Sequence, residues 1–158
     1  MGQEIERKFR VNGEEWRAHA DGGVRLEQFY LFVGSDKSCR VRIRDGREAR
    51  LTIKTGSGIA RGEFEYEIPI EDAEALRTTR DGAVIEKVRY RVPHGDLVAE
   101  IDVFEGALSG LVLGEIELPA ADHAFELPSF FGPELTGDPA FTNASMALRG
   151  SPDHEDRS

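Results

Sequence analysis

Glu4-Ile5-Glu6-Arg7-Lys8-Phe9, near the start of a chain of 158 residues, decides how the remainder is read. Side chains on a β-strand alternate faces, so Glu4, Glu6 and Lys8 share one face while Ile5 and Phe9 occupy the other. The same alternation returns with its charges sorted by strand. Arg40, Arg42 and Arg44 interleave with Val41 and Ile43, Glu63 and Glu65 with Phe64 and Tyr66, and Lys87, Arg89 and Arg91 with Val88 and Tyr90. Two acidic segments follow, Glu100 and Asp102 around Ile101, and Glu115 and Glu117 around Ile116. Opposed charge concentrated on one face of a sheet suits a multivalent anion bound together with metal cations.

Eight segments carry this strand signal, at 3–10, 25–33, 38–45, 48–55, 61–70, 84–92, 97–104 and 111–119. Asp45-Gly46, Gly56-Ser57-Gly58 and Pro93-His94-Gly95-Asp96 are turn chemistry, which makes the flanking strands antiparallel neighbours. Helices are expected over 13–20, 71–78, 120–127 and 139–148. The fold class is therefore α+β, mostly β: an eight-stranded antiparallel sheet whose apolar face is covered by a few helices. If the sheet closes, its charged face becomes a lumen wide enough for side chains and one small ligand.

A formal net charge of −10 removes the long-range positive field that nucleic acid or an anionic membrane surface requires. Any basic site must be local. Cys39 is alone, so neither an internal disulfide nor a Cys-rich zinc site can form. No apolar run is long enough to span a bilayer. These features predict a soluble cytoplasmic protein with no nucleic-acid or membrane partner, as monomer or homodimer. One domain is expected over 1–149, with a polar, disordered tail over 150–158.

The motif series resembles the CYTH superfamily, also called triphosphate tunnel metalloenzymes. It comprises the ExExK-like Glu4 to Lys8, Gln28-Phe29-Tyr30-Leu31, Arg42-Ile43-Arg44, Thr52-Ile53-Lys54, Glu63-Phe64-Glu65, Lys87-Val88-Arg89, Glu100-Ile101-Asp102 and Glu115-Ile116-Glu117. The resemblance implies an eight-stranded antiparallel tunnel and a small triphosphate as substrate. It also implies an anion cradle of Lys8, Arg42, Arg44, Lys54, Lys87 and Arg89, in which arginine supplies forked donors. Glu4, Glu6, Glu63, Glu65, Asp102, Glu115 and Glu117 would carry Mg²⁺ or Mn²⁺, hard cations that prefer carboxylate oxygen. Lys8, Tyr30, Glu63 and Glu65 are the implied catalytic set, with Tyr30 beside Lys8 and a lumen glutamate orienting the attacking water.

One departure stands out: the family's C-terminal helix carries a lysine near an asparagine, whereas this chain reads Phe141-Thr142-Asn143-Ala144-Ser145-Met146. Arg40 and Arg91 share the parity of the cradle but fall at strand ends and read as rim residues. His19, His94, His123 and His154 lack metal spacing, and Trp16 reads as packing against the sheet. The leading functional expectation is a metal-dependent triphosphatase acting on inorganic triphosphate. The alternatives are a class IV adenylyl cyclase, a thiamine or nucleoside triphosphatase, and a polyphosphate- or nucleotide-binding module without turnover.

Overall fold

A computed structural model describes residues 5–56 and 62–153, which fold around one nine-stranded sheet. The strands are β1 Ile5–Val11, β2 Val24–Val33, β3 Lys37–Arg44, β4 Glu48–Thr55, β5 Gly62–Ile68, β6 Asp81–His94, β7 Leu97–Glu105, β8 Val112–Leu118 and β9 Phe131–Glu134. Their spatial order is β5-β4-β3-β2-β6-β7-β8-β1-β9, with every neighbouring pair antiparallel. All eight expected strands are present and the fold class holds. The β3–β4 hairpin turns as expected at Asp45 and Gly46, whose φ of 51° and 67° match the twist of a tight hairpin.

Three features differ from the expectation. A short ninth strand pairs with β1, at Phe9 opposite Glu134 and Val11 opposite Phe131. The edge strands β5 and β9 do not pair with one another, so the sheet is not a closed barrel. No helix forms over 120–127. Pro128 disfavours helical backbone at Leu127. Phe125 instead packs against Phe9, Ile116 and Leu118, and the Glu126 carbonyl accepts from His94 Nε2 at 2.5 Å.

The other predicted helices are present in shorter form: a 3₁₀ turn at Glu15–His19, α1 at Ile70–Arg77, and α2 at Asn143–Arg149 preceded by a 3₁₀ turn at Pro139–Phe141. Acidic Glu71 and Asp72 sit in the first turn of α1, where they complement the helix dipole. That helix places Ala73 on the outer face of the sheet against Phe29, Val41, Ile43 and Ala49. Trp16 covers Val92, Ala99 and Ile101 on the same face and meets the Tyr90 ring at 5.2 Å.

The inner face changes character along its length. Near α2 it is apolar, where Tyr30, Ile85, Phe104 and Leu113 bury Phe141, Met146 and Ala147. Elsewhere it carries charge. Gly82 permits this docking, because a Cβ there would lie 2.5 Å from the Ala147 carbonyl oxygen. Gly114 similarly leaves room for Phe131, which stacks on Phe9 at 4.5 Å and brings β9 alongside β1. The Thr142 hydroxyl caps α2 by accepting from Ser145 N–H, and Gly150 ends it at a φ of 85°. Asp153 then pairs with Arg10, so the chain stays attached to the domain a few residues past 149, while 154–158 lie outside the described residues. No helix among the described residues is long and apolar enough to cross a membrane.

Candidate active site

A cavity of about 520 Å³ opens on the charged inner face. Its walls come from β1, β2, β3, β4, β5, β6 and β8 and from the start of α2, so the sheet curls around it despite its open seam. Lys8, Arg42, Lys54 and Arg89 of the predicted cradle line it, as do Tyr30 and four predicted carboxylates, Glu6, Glu63, Glu65 and Glu115. Register explains the convergence. Lys8 faces Glu115, Lys54 faces Glu63, and Arg89 faces Asp102 across adjacent antiparallel strands.

The cationic wall is built in two different ways. Arg42 donates through Nε and Nη2 to one acceptor, Oε1 of the fully buried Gln28, at 3.0 and 2.9 Å. Among the described residues no carboxylate lies within ion-pair distance of Arg42. Burial, followed by the repulsion of Arg40 and Arg89, lowers its pKa to about 10, which leaves it charged at neutral pH. A neutral amide thus fixes the guanidinium, which has no direct carboxylate partner among the described residues.

Arg89 and Lys87 instead converge on Asp102. Asp102 Oδ1 accepts from Arg89 Nε at 2.8 Å, and Oδ2 accepts from Arg89 Nη2 at 3.0 Å and pairs with Lys87 Nζ at 2.8 Å. Burial pushes the Asp102 pKa up, but Lys87 and Arg89 together outweigh it and hold the carboxyl well below the usual range. For Lys87 burial is the larger influence and lowers the amine to about 8, because Arg89 and Arg42 offset part of the pull of Asp102. Burial also pulls Arg89 downward, and its bonds to Asp102 more than reverse that.

Several predicted site residues have other neighbours than expected. Asp102, predicted as a metal ligand, has both oxygens engaged by cations and does not line the cavity. It holds Arg89 and Lys87 in place. Lys87, predicted to touch phosphate, is fully buried behind the wall and reaches Asn143 Oδ1 of α2 at 3.3 Å. Glu117 is exposed and lies outside the cavity lining, although its partner across the ladder, Glu6, lines it. Arg44 lines a second, adjoining cavity. Glu4 lies outside the described residues.

Tyr30 and Lys8 share the cavity but bond to different groups. Lys8 Nζ donates to the Phe141 carbonyl at 2.9 Å and lies 3.6 Å from Glu115. Burial raises the Tyr30 pKa against the pull of Arg40 and Arg42, so the phenol keeps its proton. Arg40, read from sequence as a rim residue, lines the cavity opposite Thr52 and has a buried Nε without a hydrogen-bond partner. Its parity with Arg42 was the available signal. Lys37 also lines the site and carried no motif signal, whereas Thr142 and Asn143 belong to the C-terminal stretch that departs from the family pattern.

Glu65 is fixed by Arg50 at 2.5 Å and accepts from the Thr52 hydroxyl at 3.4 Å; the Arg50 bond lowers its pKa and keeps it ionised. Among the described residues no three acidic, His or Cys side chains converge closely enough to hold a metal alone. The donor set nevertheless fits a hard cation, because the cavity carboxylates supply only oxygen. Mg²⁺ commonly takes one or two carboxylates and completes its shell with substrate phosphate oxygens and water.

Comparison with known proteins agrees with this chemistry. Residues 2–149 match the CYTH domain. A protein of Acetivibrio thermocellus named inorganic triphosphatase is 43% identical over 148 residues, 92% of this chain and 94% of its own. One of Nitrosomonas europaea with the same name is 40% identical over 151 residues, 92% of this chain and 97% of its own. A solved structure of an inorganic triphosphatase superposes with a TM-score of 0.72 at 35% identity, covering 94% of this chain and 96% of that one.

Proposed function

Since the chain belongs to the CYTH domain family, we propose that it is a metal-dependent triphosphatase that hydrolyses inorganic triphosphate in the charged cavity. The observation that carries this reading is Arg42: a part-buried guanidinium fixed by a neutral amide, with its charge left for an anion, opposite strands rich in carboxylate. A single arginine would suit any anion. Its setting among Lys8, Arg40, Lys54 and Arg89, with Glu6, Glu63, Glu65 and Glu115, suits an anion that arrives with a divalent metal.

Water attacks the terminal phosphorus, the bond from that phosphorus to the bridging oxygen breaks, and orthophosphate and pyrophosphate result. Arg42 and Arg89 hold phosphate oxygens, each fixed from behind by Gln28 or Asp102, so little reorganisation is needed as charge shifts. Lys8, braced by the Phe141 carbonyl, offers charge to the leaving pyrophosphate, and the protonated Tyr30 phenol offers a hydrogen bond. Glu63 orients the water, whereas Glu65 is bound to Arg50 and kept ionised, which makes it the weaker base. One or two of Glu6, Glu63, Glu65 and Glu115 would hold Mg²⁺ or Mn²⁺, which would neutralise phosphate charge and lower the pKa of bound water.

The buried thiol of Cys39 suits a reducing cytoplasm. A phosphate-release assay over triphosphate, ATP and thiamine triphosphate, with Mg²⁺, Mn²⁺ or chelator, tests the reading. Fastest turnover is expected on triphosphate, and none with chelator. Cyclic AMP formation from ATP exceeding phosphate release from triphosphate would overturn it, as would tight binding without turnover.

A further inference from the structure

The inner face has a second cavity, of about 270 Å³, at the opposite end of the same strands from α2. The two cavities share Arg40, Arg42, Thr52, Glu65 and Arg89 as common walls. Beyond these walls the strands diverge in composition. On β4, Lys54 belongs to the first cavity and Arg50 to the second; on β3, Arg44 belongs to the second alone, as does Arg91 on β6. With two faces per strand, the inward row Arg40, Arg42, Arg44 spans about 13 Å and runs from one cavity into the other.

Charge is distributed unevenly along this channel. The first cavity holds Glu6, Asp36, Glu63, Glu65 and Glu115. The second has Glu48, Glu65 and Glu100, of which Glu65 is bound to Arg50 at 2.5 Å and Glu100 lies 3.6 Å from Arg89. Against them stand Arg40, Arg42, Arg44 and Arg91, none within 4 Å of a carboxylate among the described residues. Four arginines sharing one small cavity repel one another unless an anion joins them. In a chain of net charge −10 their accumulation at one mouth is local and directed.

We infer that this mouth, centred on Arg44 and Arg91, which line the second cavity alone, is a second, metal-independent site for orthophosphate, through which that product leaves the channel. The inference rests on the proposed hydrolysis. Of its two products, pyrophosphate chelates divalent cations strongly and belongs with the carboxylates of the first cavity. Orthophosphate chelates them weakly, is small enough for the second cavity, and suits forked guanidinium donors.

The test uses inorganic phosphate as probe on the whole protein. Calorimetry in chelator is expected to show phosphate binding, and added phosphate is expected to inhibit triphosphate hydrolysis noncompetitively. Arg91→Gln changes an exposed residue and should weaken both effects about tenfold, with the KM for triphosphate within about twofold and the melting temperature unchanged. Purely competitive inhibition would overturn the inference, as would an Arg91→Gln variant that binds phosphate like the wild type. A KM rising in parallel with the inhibition constant would also overturn it, by assigning Arg91 to the substrate cradle. Absence of triphosphate hydrolysis would refute the proposed function instead, and the calorimetric comparison would still decide whether the second site exists.

Discussion

Asp102→Asn separates a carboxylate that positions cations from one that binds metal. The side chain is 6% exposed, and both oxygens are engaged, by Lys87 at 2.8 Å and by Arg89 at 2.8 and 3.0 Å. Asparagine keeps the shape but removes the charge and turns one acceptor into a donor facing a cation. Removing one member of a buried ion pair costs about 3–5 kcal/mol, because the remaining charges are left unbalanced. Against a total domain stability of about 5–15 kcal/mol, that loss is large. At about 2–4 °C per kcal/mol for a domain of this size, the melting temperature should fall by roughly 10 °C. Urea denaturation with chelator present should show the full loss, and Mg²⁺ should not restore it. A change below about 1 kcal/mol in chelator, with a deficit that appears only as Mg²⁺ is added, would refute the positioning role and return Asp102 to the metal set.

Gln28→Glu preserves the bonds to Arg42 but balances its charge; the KM for triphosphate should rise about tenfold with the fold intact, as measured by steady-state kinetics and thermal melting. Glu6→Gln should cut turnover about a hundredfold, equivalent to roughly 3 kcal/mol of transition-state stabilisation, and shift the Mg²⁺ titration to higher concentration; a normal rate at limiting Mg²⁺ would exclude Glu6 as a ligand. Burial depresses Lys87 to about 8, so between that pH and the unfolded value near 10.4 the unfolded chain holds the proton and the native state does not. Wild-type stability should therefore rise with pH across that window relative to Lys87→Met, measured by urea denaturation at a series of pH values. Asp102 behaves in the opposite sense: its depressed pKa contributes stability above about pH 4 that is lost as the pH falls toward its folded value, and Asp102→Asn should flatten that acid limb.

Strand identity and the inward face were legible in the sequence because both follow from period-two alternation, which acts within a single strand. Pairing across strands was not. Parity puts Asp102 on the charged face, but only the register that sets Arg89 opposite it, with Lys87 one step along, shows that its oxygens are already taken. Arg40 was misjudged as rim because its position along the channel depends on β2 and β4 flanking it at Tyr30 and Thr52. In the β9 segment, Phe131-Gly132-Pro133-Glu134, only Phe131 favours a strand; it pairs because Gly114 leaves space for the Phe131 ring. The helix expected over 120–127 failed for the converse reason, as burial of Phe125 on the sheet outweighed local preference.

The open seam also bears on self-association. Among the described residues β5 is a sheet edge that pairs only with β4, and its outer side presents Phe64 and Tyr66, each more than half exposed. An unpaired strand with apolar side chains is a template for intermolecular pairing and aggregation. Glu63, Glu65 and Glu67 alternate with those aromatics, so a second strand docking on this edge would bring its own charges against a row of carboxylates. The glutamates of the catalytic face therefore double as guards against self-association, and neutralising several of them together would cost solubility as well as activity.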